Sequence, residues 1–123
     1  MTGNRLLDFI LERDEDTGLC ELLDLIKRNP NKFLKLLNEV EPKVDYNNKE
    51  LITRLTSIYT IIEYKLRDYK LPEWIYYKEF YSDIAVYKSK HLDSFGKLKL
   101  FLDAPYEFRK RNIYFDLRGL ERV

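Results

Sequence analysis

Apolar residues recur at steps of three and four through most of this chain. The longest unbroken run of that pattern lies between Asn47 and Lys70. Leu51, Leu55, Ile58, Ile62, Leu66 and Tyr69 fall on one face of a helix, and Ile52, Tyr59 and Ile61 widen the stripe. Arg54, Ser57, Glu63, Lys65, Arg67 and Asp68 fill the polar face. Asn47 is the expected N-cap, with Glu50 three residues on as in a capping box. Pro72 sets the latest point at which the helix can end, because the residue before a proline is pushed out of the α region. Such a helix runs roughly 35 Å at about 1.5 Å per residue, enough to cross a small domain.

Shorter helical patterns flank it. Leu6, Leu7, Ile10 and Leu11 predict a helix over residues 5–12. The acidic stretch Asp14-Glu15-Asp16-Thr17-Gly18 begins like a calcium loop. Gly18 stands where a third ligand is needed and Leu25 where the closing Glu belongs, so a solvated loop is expected. Residues 18–28 predict a second helix, capped by Asp16 or Thr17, with Leu19, Leu22, Leu23 and Ile26 inward. Cys20 in that helix is expected at the core or its boundary. Asn29-Pro30 marks a restart, Asn as cap and Pro in the first helical position, ahead of Phe33, Leu34, Leu37 and Val40.

Beyond Pro72 the chain turns aromatic. In residues 73–87, Trp74, Tyr77, Tyr81 and Ile84 share a helical face, Ile75 and Phe80 lie close to it, and Tyr76 falls elsewhere. Interleaved with Lys78, Lys88 and Lys90, these rings either anchor a partner or stack on bases, or else form the amphipathic edge of a core. Ser94 starts a further helix with Leu98, Phe101 and Leu102 apolar. Pro105 is pre-set for the first turn of a short helix, YEFRKRN at residues 106–112, that ends near Asn112, with Arg109, Lys110 and Arg111 in its last turn, where cations suit the helix dipole. Ile113-Tyr114-Phe115 is the one β-like run, expected as an extended segment on the bundle, and Leu117, Leu120 and Val123 extend the docking.

Composition narrows the class. A chain of 123 residues, 45% hydrophobic, is long enough for one domain with a core that needs neither disulfide nor metal. Only 4 Gly and 4 Pro disfavour a sheet with many tight turns. The single Cys20 excludes a disulfide framework and a cysteine metal cluster and fits a reducing, cytoplasmic setting. No signal peptide and no apolar run near the roughly 20 residues of a bilayer span are visible. Residues 1–45 hold 7 basic and 10 acidic side chains, and residues 46–123 hold 15 and 11, so the +1 net charge is tilted toward a mildly basic C-terminal part. A strong nucleic-acid footprint is usually far more basic.

No chemistry is signalled. Glycine-rich phosphate loops, a G-x-S-x-G elbow and an H-E-x-x-H pair are all missing from the sequence. His91 stands alone, a poor triad or metal candidate. Ala85, Val86 and Tyr87 occupy the positions where an R-x4-6-H ribonuclease would need its arginine. No carboxylate pair sits in an apolar context. No catalytic, cofactor or metal residue is assigned, and the chain is read as a non-enzyme.

Ala104, Pro105, Phe108, Arg111, Asn112, Ile113 and Tyr114, followed by Leu120 and Arg122 and preceded by Leu71, Pro72 and Trp74, form a spaced block. It resembles a group of small bacterial proteins that end in A-P-x-x-F-x-x-R-N-I-(F/Y) and then Leu-x-Arg. The group occurs beside nucleotidyltransferase-like genes, and the resemblance implies the antitoxin side of such a pair. It covers about 50 of the 123 residues.

The expected fold is all-α: a single-domain irregular helical bundle of about six to seven helices around the long central helix. The expected function is a non-catalytic protein-interaction module, the neutralising partner in a toxin–antitoxin or phage-defence pair, its partner a nucleotidyltransferase-like toxin. Trp74, Tyr76, Tyr77 and Tyr81, with Arg109, Lys110, Arg111 and Arg118, are the candidate contact residues. For Arg111 and Asn112 the alternative is a clamp on backbone carbonyls where the chain turns extended. A nucleic-acid-binding transcriptional regulator and a small enzyme with an unrecognised site remain the other function classes. Oligomeric state is left open.

Overall fold

The computed structural model describes residues 2–88 and 92–116; the expectations placed on Lys90, His91, Leu117, Arg118, Leu120, Arg122 and Val123 lie outside the described residues. Six α-helices account for most of the described chain: α1 Arg5–Leu11, α2 Glu15–Arg28, α3 Pro30–Leu37, α4 Lys49–Lys65, α5 Ser94–Asp103 and α6 Tyr106–Arg111. Two 3-10 turns, Glu73–Tyr76 and Lys78–Phe80, precede strand β1, Val86–Tyr87. Strand β2, Ile113–Tyr114, pairs with β1 in parallel, Val86 opposite Ile113 and Tyr87 opposite Tyr114. The all-α class therefore holds, with one small parallel pair added.

Helix α4 is the centre, and it is enclosed rather than two-faced. Every residue from Leu55 to Glu63 is buried, Ser57 and Glu63 included. The expected polar face is thus corrected at those two positions. The hydroxyls tolerate burial because each bonds one turn back: Thr56 to the Ile52 carbonyl at 2.7 Å, Ser57 to Thr53 at 3.1 Å and Thr60 to Thr56 at 2.7 Å. The cap is Asn48, not Asn47; its side chain accepts from the Leu51 N–H at 3.1 Å. The helix stops at Lys65, about 25 Å long at 1.5 Å per residue. Residues 67–70 are all exposed, and the chain turns there so that Leu71 and Trp74 reach the core.

The N-terminal helices are tied to α4 and to one another by side chains that accept from or donate to backbone. Asn4 caps α1 by accepting from the Leu7 N–H and donates to the Leu37 and Val40 carbonyls at the end of α3. Arg54 of α4 donates to the carbonyls of Ile10, Leu11, Arg13 and Asp14, closing the end of α1 and the start of α2 together. Helix α2 begins earlier than expected, because Asp14 caps it through the Thr17 N–H and hydroxyl at 2.8 and 3.0 Å. The acidic stretch is thus a helix start, not a loop, and those hydrogen bonds hold the Asp14 carboxyl below its ordinary pKa. Cys20 is exposed, a correction to its expected boundary position, since Gly18, Leu22 and Ile26 make the inward stripe. Val40 is also exposed, because α3 ends at Leu37. Asn29 and Pro30 act as the sequence indicates, cap and first residue.

Gly18 lets α2 approach Arg54. A Cβ there would lie 2.9 Å from the Arg54 guanidinium and 3.0 Å from the Ile10 carbonyl oxygen, which is backbone. Gly18→Ala is therefore expected to lower stability by about 1–2 kcal/mol in urea unfolding, overpacking outweighing the better helix propensity.

The aromatic stretch 73–87 is not one helix, which corrects the shared face drawn for Trp74, Tyr77, Tyr81 and Ile84. Trp74, Ile75 and Phe80 are the buried members, a spacing that no single helical face provides. Ser82 supplies a local alternative to helix by bonding the backbone of Ile84, and Ile84 ends up exposed. Phe80 and Trp74 pack edge-on against Tyr59, ring centroids 4.8 and 5.6 Å away. The Tyr59 hydroxyl is buried without a hydrogen-bond partner, and burial drives its pKa far up. Tyr59→Phe is expected to raise stability by about 1 kcal/mol, read as a higher Tm, because an unsatisfied buried hydroxyl is removed at almost constant shape.

Candidate interaction surface

Helix α6 is short and strongly specified. Pro105 precedes it, Phe108 and Arg111 face inward one turn apart, and Asn112 ends it in the left-handed conformation at φ 62°. Arg111 is fully buried. Its guanidinium donates to Glu63 Oε1 through Nε at 3.2 Å and Nη2 at 2.9 Å, to the Ile75 carbonyl at 2.9 Å and to the Phe80 carbonyl at 3.0 Å. It also lies over the Tyr81 ring at 4.6 Å. Lys110 pairs with the other oxygen of Glu63. Burial works to lower the Lys110 pKa, but the hydrogen bond to Glu63 and its charge outweigh that and hold it above its ordinary value. One carboxylate of α4 thus fastens α6 and both 3-10 turns to the central helix. Buried charge is tolerable here because every side of the pair is hydrogen-bonded.

These contacts sort the expected contact residues. Arg111 is not part of a basic surface; it is the interior clamp on backbone carbonyls. Trp74 is a core ring, 8% exposed, since the turn after Leu71 carries it onto Tyr59. Tyr81 is half-buried under Arg111. Tyr76 and Tyr77 are exposed. The Tyr77 hydroxyl donates to Glu41 at 2.7 Å, while Tyr76 carries the Lys110 ammonium over its ring at 5.2 Å, with Tyr106 on Lys110 at 5.3 Å. Arg109 donates to the Leu102 carbonyl at 2.8 Å and sits over Phe101 at 5.9 Å. Lys110 is half-buried against Glu63, while Tyr76, Tyr77 and Arg109 remain at the surface. Trp74 and Arg111 do not, and Arg118 lies outside the described residues.

One surface feature was not assigned from sequence. No residue of α5 is buried. Phe95 is 75% exposed, Leu98 52%, Leu102 59% and, just beyond, Tyr106 71%. Phe95, Leu98 and Leu102 stand at i, i+3 and i+7, so they form one outward stripe. The helix is held instead by its other side, where Phe101 meets Tyr114 at 5.6 Å and Lys97 lies over Tyr87 at 5.7 Å. The apolar spacing was visible; which side the stripe would face was not.

Among the described residues, no group of three or more His, Cys, Asp and Glu is placed to hold a metal, and no helix is long and apolar enough to cross a membrane. Compared with protein-family models, with curated proteins and with solved structures, the chain finds no match.

Proposed function

We propose that this chain is a non-catalytic protein-interaction module and that it acts as the neutralising partner in a bacterial toxin–antitoxin or phage-defence pair. The observation that carries the interaction role is α5, an amphipathic helix with Phe95, Leu98 and Leu102 turned to solvent. Contiguous exposed apolar side chains of this size mark surfaces that are covered in use. Lys97 and Lys99 lie on the same helix and Arg109 beside it, which favours a partner surface that is apolar at its centre and acidic at its rim. The resemblance of the C-terminal block to proteins found beside nucleotidyltransferase-like genes supports the choice of partner.

Nucleic acid is the weaker alternative. Lys110 and Arg111, two of the basic residues that would serve it, are committed to Glu63. The test is co-expression with the product of the adjacent gene, followed by co-purification and a growth assay. A stable complex that relieves the partner's toxicity is expected. A salt-dependent complex with DNA or RNA in place of it would overturn the reading.

A further inference from the structure

We propose that a second site, sharing no residue with the α5 surface, binds a small alkyl carboxylate: the groove of about 360 Å³ where α1, the end of α2 and α3 meet. Leu6 and Phe33, nearly covered, are its floor. Leu25 and Leu36, only half-buried, are the walls whose apolar surface still meets water. The remaining lining residues, Arg28, Asn29 and Lys32, are all exposed. No carboxylate lines the groove.

The sign of the ligand follows from the chain around it. Residues 25–38 hold four of the seven basic side chains of residues 1–45, namely Lys27, Arg28, Lys32 and Lys35, and none of the ten acidic ones. The flanking acids are already engaged: Glu39 pairs with Arg5 at 2.8 Å and Asp24 with Arg28 at 3.0 Å. The second of these bridges joins two exposed groups one helical turn apart, and such pairs are weak, so Arg28 can take another carboxylate. Lys32 forms no ion pair among the described residues. Asn29 Oδ1 accepts from the Lys32 amide at 3.0 Å, which leaves the Asn29 side-chain N–H groups as donors.

The dimensions argue for a small ligand. The groove lies at the low end of small-molecule pockets, and its four apolar side chains offer far less than the roughly 800 Å² that one side of a stable protein interface covers. An alkyl chain over Leu25, Phe33 and Leu36, with its carboxylate between Arg28 and Lys32, satisfies both the apolar walls and the cationic rim. Each CH₂ that leaves water on binding tightens it about fourfold.

The full chain, isotope-labelled, is titrated with sodium hexanoate, sodium octanoate, octyltrimethylammonium chloride and 1-octanol, and its amide shifts are followed by NMR. Octanoate is expected to give saturable shifts at residues 25–36 and none at residues 94–106. Hexanoate, two CH₂ shorter, should bind about tenfold more weakly. 1-Octanol should bind more weakly than octanoate, and octyltrimethylammonium should leave residues 25–36 unmoved. Arg28→Gln with Lys32→Gln changes only exposed side chains; it should weaken octanoate about tenfold and leave 1-octanol unchanged, which shows that the apolar walls persist. No saturable shift with octanoate, shifts at residues 94–106 in place of 25–36, equal binding of the ammonium, or an unaltered double variant would each overturn the site. Movement of the same amides with protein concentration alone would assign the groove to a second copy of the chain, and movement only with phosphatidylglycerol vesicles would assign it to a membrane surface; either result overturns the proposal.

Discussion

Arg111→Ala should lower the folding stability by about 3–5 kcal/mol, because it strands a buried carboxylate. Glu63 is nearly fully covered and would keep only Lys110 at its other oxygen. The Ile75 and Phe80 carbonyls would lose their donor in the same step. Arg111→Lys is not expected to rescue, since an ammonium cannot span the carboxylate and both carbonyls as the planar fork does. Glu63→Leu combined with Arg111→Met removes both charges, and ion pairs replaced in this way are often neutral. Here the double variant is expected to fall between wild type and Arg111→Ala, because the two carbonyls stay unpaired. Urea unfolding of the four proteins measures the series. A double variant as stable as wild type would show that the carbonyl contacts contribute nothing.

The second large effect concerns binding. Phe95→Asp with Leu102→Asp should leave the Tm within a few degrees of wild type, since neither side chain is part of the core. Affinity for the partner should fall by about 100-fold or more, roughly 2.7 kcal/mol, as for loss of central apolar anchors. Trp74→Ala is a different case. It removes a core ring and should cost about 3–5 kcal/mol of stability, so lost binding in that variant would say nothing about contact. Calorimetric titration beside thermal unfolding separates the two. If the double aspartate variant unfolds early, α5 packs more of its stripe than its exposure indicates; if it binds like wild type, the partner lies elsewhere.

Two restarts were legible because they depend on neighbours in sequence, while the caps of α2 and α4 lie one to three positions from the residues expected. Asn29-Pro30 and Pro105 through Asn112 are local devices, read from propensity and turn chemistry. The enclosure of α4 was not legible. Ser57 and Glu63 sit on its polar side by spacing, and only the tertiary arrangement supplies Arg111 and Lys110 as partners from 48 and 47 positions away. The aromatic run misled for a related reason. Its ring spacing imitates a helical face, while the backbone follows Ser82 and the burial of Ile75 and Phe80. Arg54 and Asn4, which fasten α1, α2 and α3, look in sequence like ordinary surface residues, and nothing local marks them as donors to distant carbonyls. In α5 the periodicity is plain, but period alone cannot choose between a core and an absent partner.

Hydrogen exchange on the chain alone and on its complex with the adjacent gene's product tests the central claim most directly. Alone, amides of residues 55–63 should exchange slowest and those of residues 94–103 fast; in the complex, residues 94–106 should become protected while residues 55–63 stay as they were. Fast exchange across residues 55–63 in the free chain, or no gain in protection along α5 in the complex, would contradict it.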